Sequence, residues 1–223
     1  MENEIPISIV FSFSGGKDSV LSIYKLLKQN YKIQSLITTI TDIYSRVSIH
    51  GIREELIMEQ ANAIGIPLHL IYIPHNCVNE EYERIMLENM SFYKSFGVNY
   101  VGFGDIFLED IRKYREENLK KIGMKCIFPL WKKNTKDLVR EFISLKFKSI
   151  VVAVDSNLLD ISMLGMEFEE FINFLPNNVD VCGENGEFHT FVYDGPIFKK
   201  RVNFRKGDIV IKNNYGYIDL YPI

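Results

Sequence analysis

The sequence predicts an α/β protein: a doubly wound parallel sheet, with a smaller α+β region after it. Three observations predict this. The first hundred residues alternate short apolar runs with amphipathic stretches of helical period, and a Gly-Gly loop joins the first run to the first stretch. Beyond Pro176 the pattern changes to closely spaced strands and turns. Repeated strand–helix alternation builds a parallel sheet with right-handed crossovers, and ligands gather at the carboxyl ends of its strands.

The elements follow in order. Ile5–Phe13 is an apolar run suited to a buried parallel strand. A helix follows from about Asp18 to Gln29, with Val20, Ile23, Tyr24 and Leu27 as its stripe. Ile33–Ile40 and Leu68–Ile73 read as strands, Ile52–Ile64 and Glu80–Phe96 as helices, and Val98–Phe103 as a fourth strand. Asp110–Ile122 reads as a helix, and so does Asn134–Leu145, with its N-cap at Asn134 or Thr135 and apolar residues at Leu138, Phe142 and Leu145. Ser149–Val154, Phe188–Tyr193, Ile197–Phe204, Asp208–Lys212 and Tyr215–Tyr221 read as strands, the last two joined by a tight Asn213-Asn214 hairpin. The expected division is an α/β domain over 1–105 and a mixed α+β domain over 106–223, closely packed because no linker separates them.

Of the 223 residues, 47% are apolar and the formal charge is −3. That balance supports a large core and disfavours an extended nucleic-acid clamp. No run is long enough to span a bilayer, and the N-terminus lacks the basic start of a secretory signal, so the cytoplasm is the expected location. Cys77, Cys126 and Cys182 stand far apart, without a metal-site spacing.

Ser14-Gly15-Gly16-Lys17-Asp18-Ser19 lies between the first strand and first helix. Its glycines let peptide N–H groups approach an anion, and the helix directs free N–H groups and the positive end of its dipole to the same point. Ser14 and Ser19 add hydroxyls and Lys17 a charge. Asp18 is a carboxylate near an expected phosphate, which suits an N-cap or a ligand to Mg2+. A plain capped turn is the alternative. The spacing is not that of a Walker A loop. It resembles instead the PP-loop of the ATP pyrophosphatases, whose fold is the HUP-like (adenine nucleotide α-hydrolase-like) doubly wound sheet. That resemblance implies ATP held at its pyrophosphate end by Ser14, Gly15, Gly16, Asp18 and Ser19, cleavage between the α- and β-phosphates, and an adenylated intermediate.

A second polar constellation, Gly183-Glu-Asn-Gly-Glu-Phe-His-Thr190, precedes an apolar strand. Glu184 and Glu187 are candidates to orient an amine, act as base or ligate magnesium, and His189 to carry protons. Asn185 and Thr190 complete the candidate acceptor site. A turn that satisfies its own backbone is the competing reading. With Phe191-Val-Tyr-Asp-Gly-Pro-Ile-Phe198 behind it, this segment resembles the signature of the diphthine–ammonia ligase family. His50, Gly102-Phe-Gly-Asp-Ile106, Tyr114-Arg-Glu116 and Pro129-Leu-Trp131 are similar too. His50, Gly102 and Gly104 are therefore expected beside the nucleotide. Asp105, Arg112, Arg115 and Glu116 are candidates for substrate contact, although the last three also suit exposed helical ion pairs.

The resemblance implies an ATP-dependent amide ligase that adenylates a carboxylate and couples it to ammonia. Its acceptor would be diphthine on elongation factor two, and Glu184, Glu187 and His189 would be catalytic. One departure bears on the acceptor. Ligases acting on diphthine tend to carry a Ser/Tyr-Gln element where this chain has Phe107-Leu-Glu-Asp-Ile-Arg-Lys-Tyr-Arg115, which resembles a short branch of the family. Another small-molecule or RNA acceptor, or a nucleotide sensor without turnover, are the other readings. The sequence leaves a homodimer open.

Overall fold

The computed structural model describes residues 6–48 and 50–223; Ile5, the start of the first expected strand, lies outside them. In chain order the elements are β1 (Ser8–Ser12), α1 (Lys17–Lys28), β2 (Lys32–Thr41), β3 (Arg46–Val47), α2 (Glu54–Ile64) and β4 (Leu68–Ile73). There follow α3 (Asn79–Ser95), β5 (Tyr100–Gly102), α4 (Glu109–Lys120), β6 (Lys125–Ile127), α5 (Thr135–Ser144) and β7 (Lys148–Asp155). The short helix α6 (Phe168–Phe171) precedes β8 (Phe188–Asp194), β9 (Phe204–Lys212) and β10 (Tyr215–Pro222).

The first sheet is parallel apart from β3, which folds back on the end of β2. β1 pairs with β2 on one side and β5 on the other, β4 lies beyond β2, and β6 beyond β5. This is the HUP-like order, and its reversal point falls between β1 and β5, where a doubly wound sheet opens a crevice. Alternation along β1 divides the packing. Ile9 and Phe11 join α1 and α2 in one core, whereas Val10 joins Met90 of α3 and Leu119 of α4 in another.

The second sheet is antiparallel, in the order β8-β7-β10-β9. Its inner residues, including Ile150, Val152, Phe191 and Val192, belong to the same core as Ile9, Phe11 and α1, so the two sheets share one apolar interior. A clamp reinforces the junction. Asp219 of β10 accepts paired hydrogen bonds from Arg46 (both 3.0 Å) and from Arg53 (3.0 and 2.7 Å). Burial works against the charge of Asp219, but these hydrogen bonds hold its carboxyl well below the usual carboxylate range.

Asn134 caps α5, its side chain accepting from Asp137 N at 3.2 Å. Asn213 and Asn214 both adopt positive φ (51° and 64°), as a two-residue hairpin between twisted strands requires. Two differences from the sequence reading stand out. Residues 197–203 are not a strand: Phe198 bonds back to Gly195 and Val202 to Tyr193, so the stretch turns instead of extending. β3 and β6, only two and three residues long, give no periodic signal. No helix among the described residues is long and apolar enough to cross a membrane.

Candidate active site

At the carboxyl end of β1 the chain turns through Phe13–Gly16 into α1. Gly15 has φ 79°, and a Cβ there would lie 2.6 Å from Gln60 Oε1, so the turn needs glycine twice over. Ser14 Oγ accepts from Gly16 N (3.3 Å) and lies 3.3 Å from Ser19 Oγ, which donates to Gly16 O at 3.0 Å. Gly16 is the helix N-cap, without a side-chain cap bond. No other described residue accepts from the amides of Asp18 or Ser19, which leaves the first turn of α1 open to an anion. Gly104, just past β5, faces that turn: a Cβ there would stand 3.1 Å from Ser19 N.

The second sheet braces the loop. Val192 N of β8 donates to Gly15 O (3.0 Å), Gln60 Nε2 donates to Gly15 O (2.9 Å) and to Val192 O, and Lys17 N donates to Thr190 Oγ1 (3.1 Å). The Lys17 side chain turns inward. Its ammonium donates to Cys182 O, meets Asp18 Oδ2 at 2.8 Å and lies 4.9 Å from the centre of the Phe188 ring. Burial opposes that charge, but Asp18 outweighs it and raises the Lys17 pKa.

A cleft of about 310 Å³ opens over the loop. Asp18 reaches it with a quarter of its side chain exposed. Opposite, Glu184 Oε1 accepts from Ile106 N (2.6 Å) and Phe107 N (3.2 Å). Burial pushes the Glu184 carboxyl up to about 7, aided by the charges of Asp18 and Asp105 and resisted by those two amides. His50 and His189 stack at 4.3 Å between ring centres. Burial, with Lys17 nearby, lowers His50 to about 4 and His189 well below its ordinary value, so both imidazoles are neutral at pH 7. His50 Nδ1 and His189 Nε2 are buried without a partner among the described residues. Two neutral rings with free nitrogens can donate to a phosphate or take a proton. Asp105 is paired with Arg115 (2.8 and 3.1 Å), whose guanidinium lies over Phe103.

The sequence candidates therefore separate. Ser14, Gly16, Lys17, Asp18, Ser19, His50, Gly104, Asp105, Arg115, Glu184, His189 and Thr190 meet around one cleft. Gly15 shapes the loop from beneath, and Gly102 packs on Phe11 and Leu26. Four expected site residues lie apart from the cleft lining. Glu187 is buried in its own turn, where it accepts from Asp180 N, Asn185 N and Asn185 Nδ2, so its carboxylate is engaged by the turn itself. Asn185 is exposed and serves that carboxylate. Arg112 and Glu116 pair with each other at 2.8 Å, with Arg112 over Trp131, outside the cleft. Gln60, absent from the sequence candidates, had a legible signal: it is the one amide on the buried face of α2, among Leu56, Ile57, Ala61 and Ile64.

Fold and site together define a HUP-like nucleotide-binding enzyme, with its loop at the reversal point of the sheet and a second domain closing the cleft. The family model described as the diphthamide synthase N-terminal domain matches residues 7–126, and that of the diphthamide synthase C-terminal domain matches 134–221. The chain belongs to this family. It is similar to diphthine–ammonia ligases from mouse (28% identical, covering 85% of this chain and 79% of the mouse protein), zebrafish (24%; 94% and 91%) and human (33%; 47% and 42%). It is a ligase, a class of enzyme that draws on ATP.

Proposed function

We propose that the protein is an ATP-dependent amide ligase that adenylates a substrate carboxylate and passes the acyl group to ammonia. Residues 1–105 would hold ATP and 106–223 would receive the acceptor. The observation that carries this reading is the open first turn of α1 beneath a cleft whose far wall bears Glu184 and His189. Asp18 and Ser19 would grip the β- and γ-phosphates through backbone N–H groups, with Ser14 and Ser19 hydroxyls beside them. These donors are fixed before ATP arrives, so they offset the charge building on pyrophosphate without reorganising.

Magnesium fits the donor set, since Asp18 turns a carboxylate toward the cleft and the ion commonly binds through one or two carboxylates plus phosphate oxygens. Held by Asp18, magnesium would supply charge neutralisation on the polyphosphate. The acceptor carboxylate attacks the α-phosphorus and pyrophosphate leaves. Ammonia then attacks the acyl carbon and AMP departs. Glu184, with a pKa near 7, is suited to take the proton that the attacking amine sheds. His189, neutral and with Nε2 unpartnered among the described residues, is suited to donate to the α-phosphate, whereas His50, whose other ring nitrogen bonds the Thr190 backbone, offers Nδ1 only as an acceptor of protons. Glu187 holds the Glu184 loop in shape instead of meeting substrate.

Diphthine, named in the relatives, is the first acceptor to test. A second reading keeps the chemistry and changes the acceptor, because Leu108, Ile111 and Arg115 of the departing 107–115 segment line the cleft. The test is product analysis with ATP, ammonium and an acceptor. AMP plus pyrophosphate, dependent on acceptor and ammonium, supports ligation. ADP as product, or nucleotide binding without turnover against every acceptor, would overturn it.

A further inference from the structure

We propose that the free edge of β9 pairs with β9 of a second copy of this chain, making one continuous eight-stranded antiparallel sheet across a two-fold axis at Val210. Among the described residues β9 closes the second sheet and pairs only with β10, so its outer row of N–H and C=O groups has no described strand against it. Edge strands normally carry protection, such as cover or inward charges. Here Ile209, Val210 and Ile211 run consecutively with 46%, 58% and 59% of their surfaces exposed. Both faces of the strand thus present apolar area to solvent.

The sequence of the edge names the partner. Asp208-Ile-Val-Ile-Lys212 is chemically self-complementary when reversed. Two strands related by an axis normal to their sheet must place each residue opposite one of its own parity. Centred on Val210, such a pair sets Ile209 against Ile211 and Asp208 against Lys212, each twice. The neighbouring registers fail. Counted across the bulge at Gly207, centring on Ile209 opposes Arg205 to Lys212 twice, and centring on Asp208 opposes that carboxylate to itself. Centring on Ile211 leaves Asp208 and Ile209 facing Asn214 and Asn213 of the turn, beyond the strand. Opposite charges directly across a ladder favour pairing and like charges disfavour it, so one register is selected.

The local geometry permits it. A bulge at Gly207–Asp208 lies at the start of the segment, and Ile209–Lys212 pairs regularly with Ile218–Tyr215, leaving a straight edge. Asp208 is exposed and has no ion pair among the described residues, while Lys212 Nζ lies 4.9 Å over the Tyr44 ring, within reach of solvent. The candidate active site lies on β8 and the first sheet, at the other side of the second sheet.

Light scattering after size exclusion tests the pairing. The parent is expected to run at twice the chain mass in the micromolar range. Val210→Lys, which places two ammonium groups at the axis, is expected to run at the chain mass with an unchanged circular dichroism spectrum. Asp208→Lys and Lys212→Asp are each expected to be monomeric alone. Mixed, they restore both opposite-charge pairs and recover the double mass. A parent that stays monomeric, a dimer that survives Val210→Lys, or a mixture that fails to recover would each overturn the proposal.

Discussion

Glu184→Gln tests the electrostatics of the cleft most directly. The native carboxyl keeps its proton up to about pH 7, whereas an unfolded glutamate releases it near 4.5. Between those values the native state binds more protons than the unfolded chain, so stability falls as pH rises. A shift of that size corresponds to about 3 kcal/mol, fully expressed above pH 7 and absent below 4.5. Glutamine keeps an acceptor for Ile106 N and Phe107 N and carries no charge. Urea unfolding of both proteins across pH 4.5 to 8 is expected to show the variant gaining on the parent by about 3 kcal/mol as pH rises. AMP release by the variant should fall by roughly a hundredfold or more, as loss of a general base does. Parallel stability profiles would refute the buried, proton-holding environment of Glu184, whatever happened to turnover.

Three further outcomes follow from the site and its supports. Gly104→Ala presses a methyl against the backbone of Asp18 and Ser19, and is expected to raise KM for ATP about tenfold, ~1.4 kcal/mol of binding, in initial-rate assays. Lys17→Met removes a buried ammonium held by Asp18 and the Cys182 carbonyl; unfolding curves should show a loss of about 3–5 kcal/mol. Asp219→Asn breaks the charge of the Arg46–Arg53 clamp. Because the native Asp219 carboxyl is depressed, its contribution exists above the unfolded value of 3.8 and is lost as pH falls, so thermal melts of the parent should drop more steeply than the variant's in acid.

Much of this molecule was legible because period and punctuation agree. The Leu68–Ile73 strand, the Asn134 cap and the Asn213-Asn214 turn each combine a local rule with the geometry the fold requires. The family resemblance rested on motifs at both ends of the chain, and the matches to both domains bear it out. Direction was not legible. Glu184 and Glu187 sit three residues apart in one glycine-punctuated turn, yet one faces the cleft and the other its own amides. Lys17 stands inside the loop motif and points the opposite way, because the Phe188 ring and Cys182 carbonyl come from residues 165 or more positions later. Likewise Arg46, Arg53 and Asp219 carry no pairing signal, since a charge on a short strand or at a helix cap looks the same whether water or a distant partner meets it.

The strap that β8 lays across the Gly15 turn bears on how the chain is made. A polypeptide emerging from the ribosome as far as residue 126 already owns every member of the anion-binding motif, but not Thr190 or Val192, whose bonds fix the peptides on either side of Gly16. Shaping of that motif thus waits for the last third of synthesis, and a half-made chain holds the loop without its brace.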